Sequence, residues 1–430
     1  MAFAQPIYVV DGARTPFLKA QKGPGPFAAS DLATQAGRAL LLRQPFLPAD
    51  LDEVILGCAA PSPDETNIGR MVALRLGCGQ KVPGWTVMRN CASGMQAVDS
   101  AIANILSGRA DLVLAGGVDA LSRAPLLYSD AMVRWFAAMM SMKTPGQKLG
   151  HFLKLRPAAL LSPVIGLMKG LTDPVVGLLM GQTAENLAWR FGITRQQMDE
   201  FAVQSHRRAL AGRAAGHFEE IVPVVDGTGK IYGEDDGVRA DASMEGMAKL
   251  KPFFDKKYGN ITAANSSQIT DGAAWLLLAS EAAVRKWNLE PLGRVVDSHW
   301  AGLDPAQMGL GPVHASTPLL QRNGLGLDDV DAWELNEAFA AQVLGCLAAW
   351  SSDDYCRQEL GLPGAFGAPD AAKLNVDGGA VSIGHPVGAS GARIVLHLLH
   401  VLRRQGGGRG VATICIGGGL GGAMLVESMH

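Results

Sequence analysis

Arg89-Asn90-Cys91-Ala92-Ser93-Gly94-Met95-Gln96-Ala97 is the stretch on which the reading of this chain turns. A strand-like run, Trp85-Thr86-Val87-Met88, leads into it. A small, apolar, helix-like run from Ala97 to Leu106 leads out, so Cys91 is expected at a strand-to-helix junction. There, unpaired backbone N–H groups and the positive end of the helix dipole favour thiolate over thiol. Without that help a cysteine, with a pKa of about 8.5, is only a few per cent ionised at neutral pH. Taken alone, Cys91 reads equally well as a buried, inert cysteine. The rest of the chain decides between the two.

Before this stretch, Ile7-Tyr8-Val9-Val10 and Val54-Ile55-Leu56-Gly57 read as strands. Ser30-Asp31 is placed to cap a helix through Ala33, Ala36 and Leu40, and Asn67 to Leu76 reads as another helix. After it comes Ala110-Asp111-Leu112-Val113-Leu114-Ala115-Gly116-Gly117. Strands alternating with helices imply a parallel α/β sheet covered on both faces. Gln182 to Gly216 is expected to be helical, with a capped start at Ile193-Thr194-Arg195, and 226–260 to be loop-rich. Ile261 to Ser267 reads as a polar strand end, followed by the apolar run Asp271 to Leu278. From about Pro291 the alternation resumes with an echo of the first half. Ala92-Ser93-Gly94, helix, Gly108-Arg109, strand, Gly116-Gly117 is matched by Ala389-Ser390-Gly391, helix, Gly408-Arg409, strand, Gly417-Gly418. A duplicated half is the simplest account.

Length and composition set bounds. The 430 residues suggest two or three domains, and a net charge of −2 gives no reason to expect nucleic acid. Six cysteines without a C-x-x-C pair point away from a disulfide scaffold and from zinc, so no metal is expected. The chain is expected in a reducing compartment, the cytoplasm, without a signal peptide or a transmembrane helix. Residues 123–180 differ from the rest. Seven Lys or Arg face two acids, and six Met and the Trp135-Phe136 pair are interleaved with Pro and Gly. This is expected to be an insertion outside the sheet, either a basic apolar surface for an acyl-CoA, an anionic membrane or a partner, or a solvated cap.

Three further motifs carry chemistry. Gly384-His385-Pro386 puts a histidine at the start of the second-half helix, where the dipole is expected to keep it neutral. Cys415-Ile416-Gly417-Gly418-Gly419 puts a second cysteine at a strand end, before glycines whose N–H groups suit an oxyanion hole. Gly417-x-Gly419-x-x-Gly422 formally matches a dinucleotide fingerprint, but only eight residues follow and no βαβ unit can be completed. Trp333-Glu334-Leu335-Asn336-Glu337-Ala338-Phe339 ends a strand with an Asn-Glu pair, in which Asn336 either holds a water or carbonyl or caps a helix.

Taken together, Asn90-Cys91-Ala92-Ser93-Gly94, Asn336-Glu337-Ala338-Phe339, Gly384-His385-Pro386 and Cys415-Ile416-Gly417-Gly418-Gly419 resemble the thiolases. Arg14-Thr15-Pro16, Met180-Gly181-Gln182-Thr183-Ala184-Glu185 and Asn265-Ser266-Ser267 extend the likeness over nearly the whole chain. The resemblance implies an α/β fold of two similar βαβαβαββ halves, five-layered α-β-α-β-α, with a loop domain inserted in the first half. On this chain that implies a first half of 1–123 plus about 248–290, an insertion over 124–247 and a second half of 291–430. It also implies roles. Cys91 carries the acyl group as a thioester, and His385 deprotonates it and, with a water on Asn336, polarises the thioester oxygen. The N–H groups of Cys91 and Gly417 form a second oxyanion hole, and Cys415 moves the proton at C2 of acetyl-CoA. Ser267, Arg239, Met180 and Phe339 match positions near coenzyme A, which is a substrate rather than a cofactor, while a serine often found nearby is here Gly246.

The implied activity is acetyl-CoA C-acetyltransferase or 3-ketoacyl-CoA thiolase of fatty-acid metabolism, in a homodimer or tetramer. Asn336 resembles those enzymes, whereas the basic, Met-rich insertion and Thr262 to Ser267 resemble β subunits of fatty-acid oxidation complexes. That leaves open a long-chain preference, a hydratase/dehydrogenase partner subunit and peripheral membrane contact through 124–180. A carrier-protein-dependent condensing enzyme is the nearest rival, and Cys415 argues against it.

Overall fold

The computed structural model describes residues 3, 5–20, 23–155, 157–160 and 162–428. Its main strands are β1 (Ile7–Arg14), β2 (Glu53–Gly57), β3 (Gly84–Val87), β4 (Leu112–Ala120), β5 (Thr270–Ala279), β6 (Gly293–Gly302), β7 (Ala332–Leu335), β8 (Gly408–Ile416) and β9 (Leu420–Ser428). With the two-residue strand Leu18–Lys19 on β5, they form a ten-stranded sheet in the order β7-β8-β9-β6-β1-β5-β4-β2-β3. The main helices are α1 (Ala29–Leu41), α2 (Ile68–Arg75), α3 (Ser93–Leu106), α4 (Asp130–Ser141), α5 (Pro145–Phe152), α6 (Met180–Arg190), α7 (Arg195–Ala214), α8 (Gly311–Arg322), α9 (Ala340–Trp350) and α10 (Val387–Arg404).

The sheet is two half-sheets joined where β1 pairs with β6. Outward from that seam, β1-β5-β4 is antiparallel and β4-β2-β3 parallel. On the other side β6-β9-β8 is antiparallel and β8-β7 parallel, with a single Trp333–Leu374 bridge where β3 has its counterpart. The sheet is therefore mixed, not parallel as strand–helix alternation alone suggested. At the tight turn between β8 and β9, for example, the chain returns without a helical crossover and the pair is antiparallel.

Alternation along the strands builds the layers. On β4, Val113 and Ala115 face the central core, while Leu112 and Leu114 face the outer core under α1 and α2. On β9, Met424 and Val426 face the same centre, while Ala423 and Leu425 face an outer core under α8 and α9. Helices α3 and α10 fill the middle, with Ala97, Val98, Ala101 and Ile102 on one and Ile394, Val395, Leu398 and Leu399 on the other. The result is α-β-α-β-α. The duplication reaches detail that the sequence comparison missed. Both seam strands bulge at the same place, before Asp11 and before Asp297. Each carboxylate takes an arginine from just past the helix that follows its strand or from that helix's end, Arg43 at 2.9 Å and Arg322 at 2.6 Å.

Three local expectations change. Helix α1 starts at Ala29, so Ser30 and Asp31 lie inside its first turn, and Asp31 reaches back to the Ala28 N–H at 3.0 Å. The Gln182–Gly216 helix is broken at 191–194 into α6 and α7, with Thr194 capping the second as expected. Ile261 to Ser267 is a loop, because its polar side chains bond locally. Asn265 accepts from the Thr262 N–H at 2.8 Å, and the Ser266 hydroxyl donates to the Thr262 carbonyl at 2.7 Å. Among the described residues no helix is long and apolar enough to cross a membrane.

Helices α3 and α10 cross at their N-terminal ends through glycines. A Cβ on Gly94 would lie 2.7 Å from the Gly388 carbonyl oxygen, and one on Gly391 would lie 2.7 Å from the Met95 amide nitrogen. Behind the crossing, buried charges tie the segments together. Arg14 of β1 pairs with Asp235 at 2.7 Å and with Glu220 at 3.2 Å. His397 of α10 lies between Glu220 at 3.0 Å and Asp377 at 3.2 Å. Arg393 of α10 pairs with Glu334 of β7 at 2.6 Å.

Gly94→Ala forces backbone against backbone and is expected to lower stability by about 1–3 kcal/mol. Gly150→Ala, in open space on α5, should be neutral or stabilising; denaturant midpoints of the two variants check this. Burial opposes charge on His397, but Glu220 and Asp377 outweigh it and hold its pKa up at about 9. A group raised in the folded state stabilises below its unfolded pKa, about 6.5, and that stability is lost as pH rises through 9. Melting temperature should therefore fall between pH 6.5 and 9.5, and His397→Gln should flatten that slope.

Candidate active site

Cys91 stands where β3 gives way to α3. Asn90 takes a left-handed conformation, φ +44°, which asparagine tolerates better than most residues, and Ala92 begins the helix. The Ser93 hydroxyl pins the turn, accepting from the Arg89 N–H at 2.9 Å and donating to the Asn90 carbonyl at 2.8 Å. Gly57 of β2 has no side chain because the helix start lies against it; a Cβ there would be 2.6 Å from the Gly94 nitrogen. The Asn90 side chain crosses to the other half, donating to the Gly417 carbonyl at 2.8 Å.

Gly417 opens the turn between β8 and β9, where Gly418 and Gly419 have φ of +94° and +76°. The turn is a hairpin with no helix after it, which removes the dinucleotide match. Burial pushes the Cys91 pKa up, while the N–H groups of Gly417 and of Cys91 itself pull it down. Burial prevails, so the resting group is the thiol and not the thiolate expected from the helix dipole. The two N–H groups nonetheless bear on the sulfur, beside which the oxyanion of an attacked carbonyl would form. Cys415, on the last turn-side residues of β8, is fully buried. Burial, and then the Cys91 and Cys346 thiols, raise its pKa well above normal. Cys91 and Cys415 thus lie within each other's field.

His385 precedes α10, whose first helical residue is Val387, so it lies outside the helix rather than at its start. Its backbone N–H donates to the Gln268 carbonyl at 3.0 Å, and its Nδ1 is 2.6 Å from Ser390 Oγ. Nε2 is buried with no partner among the described residues. Burial, then the charge of Arg393, lowers its pKa to about 4, so the ring is neutral. Asn336 leaves β7 with its N–H on the Thr413 carbonyl at 3.0 Å, two residues before Cys415. It caps no helix. Both polar atoms of its side chain are buried without a partner among the described residues, a costly arrangement unless water or a ligand completes it.

Other expected site residues surround this centre unequally. Met180 begins α6, its sulfur 3.2 Å from where a Gly417 Cβ would stand. Phe339 is buried with Met180, Phe254 and Cys415 in one apolar cluster, its ring edge-on to Phe254. The Ser267 N–H donates to the Ala338 carbonyl at 2.9 Å. Arg239 is set apart: its backbone N–H bonds His206 on α7, and its exposed guanidinium reaches Asp241.

The supporting roles of two carboxylates went unnoticed in the sequence. Asp119, at the end of β4, accepts from the N–H groups of Ala59 at 3.1 Å, Ala60 at 2.9 Å and Gly388, fastening α10 to the first half. Glu337 accepts from Ser205 at 2.7 Å, Asn375 at 2.8 Å and the Val381 N–H at 3.2 Å, holding the loop that leads to His385. An acid at the end of an apolar strand, Gly116-Gly117-Val118-Asp119, was the available signal for the first. A partly buried thiol beside two N–H groups, with a second, buried thiol and a neutral imidazole on adjoining segments, is equipped for acyl transfer with proton movement at carbon.

The pattern of the family described as thiolase, N-terminal domain, matches residues 7–282, and that of thiolase, C-terminal domain, matches 289–428. The chain is 37% identical over 426 residues to the 3-ketoacyl-CoA thiolase of Yersinia enterocolitica, covering 98% of this chain and 96% of that one. It is 38% identical over 431 residues to that of Serratia proteamaculans, with the same coverage. Human mitochondrial 3-ketoacyl-CoA thiolase, solved in complex with CoA, superposes with a TM-score of 0.85 at 36% identity, covering 100% of this chain and 99% of that one. The acetyl-CoA acetyltransferase of Bacillus anthracis does so at 0.84 and 35%, covering 99% of each.

Because Cys91 rests as a thiol, its alkylation by iodoacetamide should accelerate steadily as pH rises through and above neutrality. A preformed thiolate–imidazolium pair would instead give a fast rate already level at about pH 5.

Proposed function

The chain belongs to the thiolase family, and on that premise we propose that its reaction is 3-ketoacyl-CoA + CoA = acyl-CoA + acetyl-CoA, run through an acyl group on Cys91. The observation that carries this is the pair of backbone N–H groups, from Cys91 and Gly417, that bear on the Cys91 sulfur from the two halves of the chain. In the proposed sequence His385 Nε2 takes the thiol proton and Cys91 attacks the 3-keto carbon. The oxyanion rests on the two N–H groups. The C2–C3 bond breaks, and the departing acetyl-CoA enolate is stabilised by His385 and a water on Asn336, whose unpartnered amide suits that task. Cys415 gives its proton to C2. CoA then displaces Cys91 from the thioester; the CoA proton restores the Cys415 thiol, and His385 returns its proton to Cys91.

Coenzyme A is proposed to run from Met180, Phe339 and Ser267 toward Arg239. The CoA complex of the human relative supports a CoA site in this fold. A second copy is proposed to dock on β3, the open edge of the sheet, whose four residues are all partly exposed. Leu126, Met140, Leu149 and Leu153 stand exposed among the basic residues of 124–180. They favour a second reading of that segment as a contact for a partner subunit or an anionic membrane.

Cleavage of 3-ketoacyl-CoAs from four to sixteen carbons, with Cys91→Ser as the blank, tests the reading. A rate at one or more lengths is expected, and none at any length, with acyl-carrier protein thioesters accepted instead, would overturn it. Cys415→Ala should still acylate Cys91 from a simple acyl-CoA while losing C–C cleavage by about 100-fold or more. Failure to acylate at all would contradict the roles given to the two thiols.

A further inference from the structure

Two serines occupy matching places on the paired central helices, Ser93 in Ala92-Ser93-Gly94 and Ser390 in Ala389-Ser390-Gly391. Each hydroxyl works twice. Ser93 donates to the Asn90 carbonyl and accepts from the Arg89 N–H. Ser390 donates to the Pro386 carbonyl at 3.1 Å, and its second contact is His385 Nδ1 at 2.6 Å. A serine hydroxyl has one proton. The Pro386 carbonyl, which also takes the N–H groups of Ala389 and Ser390, can only accept; with the hydroxyl proton on it, the short contact to the ring has Nδ1 as its donor. In the first half the corresponding partner is an amide N–H, which can be nothing else. A neutral imidazole protonated on Nδ1 carries its lone pair on Nε2. Nε2 is the ring atom that is buried and unpartnered.

We propose that Ser390 is a positioning residue that holds His385 in the Nδ1–H tautomer, leaving Nε2 as the free base toward Cys91; this rests on the role given to His385 above. When the S–H bond of Cys91 breaks, an N–H bond forms at Nε2. The imidazolium so made keeps its Nδ1–H on Ser390, and the proton returns when Cys91 leaves the thioester. The burial of the ring and the nearby Arg393 charge support the neutral form from which this starts. Without the hydroxyl nothing holds the proton on Nδ1, and a ring protonated on Nε2 cannot accept there.

The test uses the full chain with ¹⁵N-labelled histidine, and His385→Gln to identify the His385 ring signals. Wild type should show Nδ1 protonated and Nε2 not. Ser390→Ala should move the proton wholly or partly to Nε2 and lower kcat by about ten- to hundredfold, the range set by losing a hydrogen bond to a charged group, with KM nearly unchanged. Wild-type His385 protonated on Nε2 would overturn the proposal, and that spectrum decides even if Ser390→Ala does not fold. Ser390→Ala with both tautomer and kcat intact would overturn it too, while an inactive His385→Gln would leave the reading of His385 standing. Full turnover in His385→Gln would instead remove that reading.

Discussion

Two helix starts approach each other here more closely than any side chain would permit. At the crossing of α3 and α10 the glycines Gly94, Gly388 and Gly391 put backbone against backbone, and Asp119 holds the Gly388 N–H from below. Everything chemical is attached to that contact. Cys91 lies just before one helix and His385 just before the other, and the hairpin glycines after Cys415 close over Cys91 through the Asn90–Gly417 bond. The crossing is possible because the halves repeat one another. Each supplies a seam strand, a flanking helix and a central helix, and the symmetry brings the two central helices together at equivalent positions.

The repeat is symmetric in backbone and asymmetric in side chains. Equivalent serines secure a turn of main chain in the first half and an imidazole in the second. A matched pair of scaffold positions therefore carries two different reactive groups. Burial dominates their electrostatics. It raises both thiols and lowers the imidazole to about 4, so these three reactive groups rest neutral. Charge appears only as a substrate brings it, when the N–H groups of Cys91 and Gly417 are already in place. Preorganised dipoles of this kind stabilise a developing oxyanion without reorganising. The charged groups are kept behind the site, in the Arg14–Glu220–His397–Asp377 cluster and the Arg393–Glu334 pair, where they bind insertion, halves and central helix into one body.

Much of this was legible in the residues. The apolar runs located β2, β4, β5 and β8, and the Ala-Ser-Gly echo announced the duplication. The four motifs placed Cys91, Asn336, His385 and Cys415 on segment ends, where the structure has them. What was not legible depends on contacts far apart in sequence. Strand direction follows from crossovers, so strand–helix alternation alone missed the antiparallel members of the sheet, which only the family resemblance implied. The Ile261–Ser267 loop reads as strand until its side chains are seen to bond their own backbone. Burial, with Arg393 acting on the ring, leads the protonation of Cys91 and His385, and burial cannot be read from a nine-residue window. Asp119 and Glu337 act by fastening distant backbone, a role that no local pattern states even where the residue itself stands out.

The central claim is that this crossing of helices makes Cys91, and no other of the six cysteines, the acyl carrier. Brief incubation with acetyl-CoA, acid quenching and peptide mass spectrometry measures it directly. The account predicts a 1:1 acetyl thioester on the peptide containing Cys91, discharged when CoA is added before the quench. An acetyl group on Cys415 or another cysteine, or none on Cys91 in a folded and substrate-exposed protein, would contradict it.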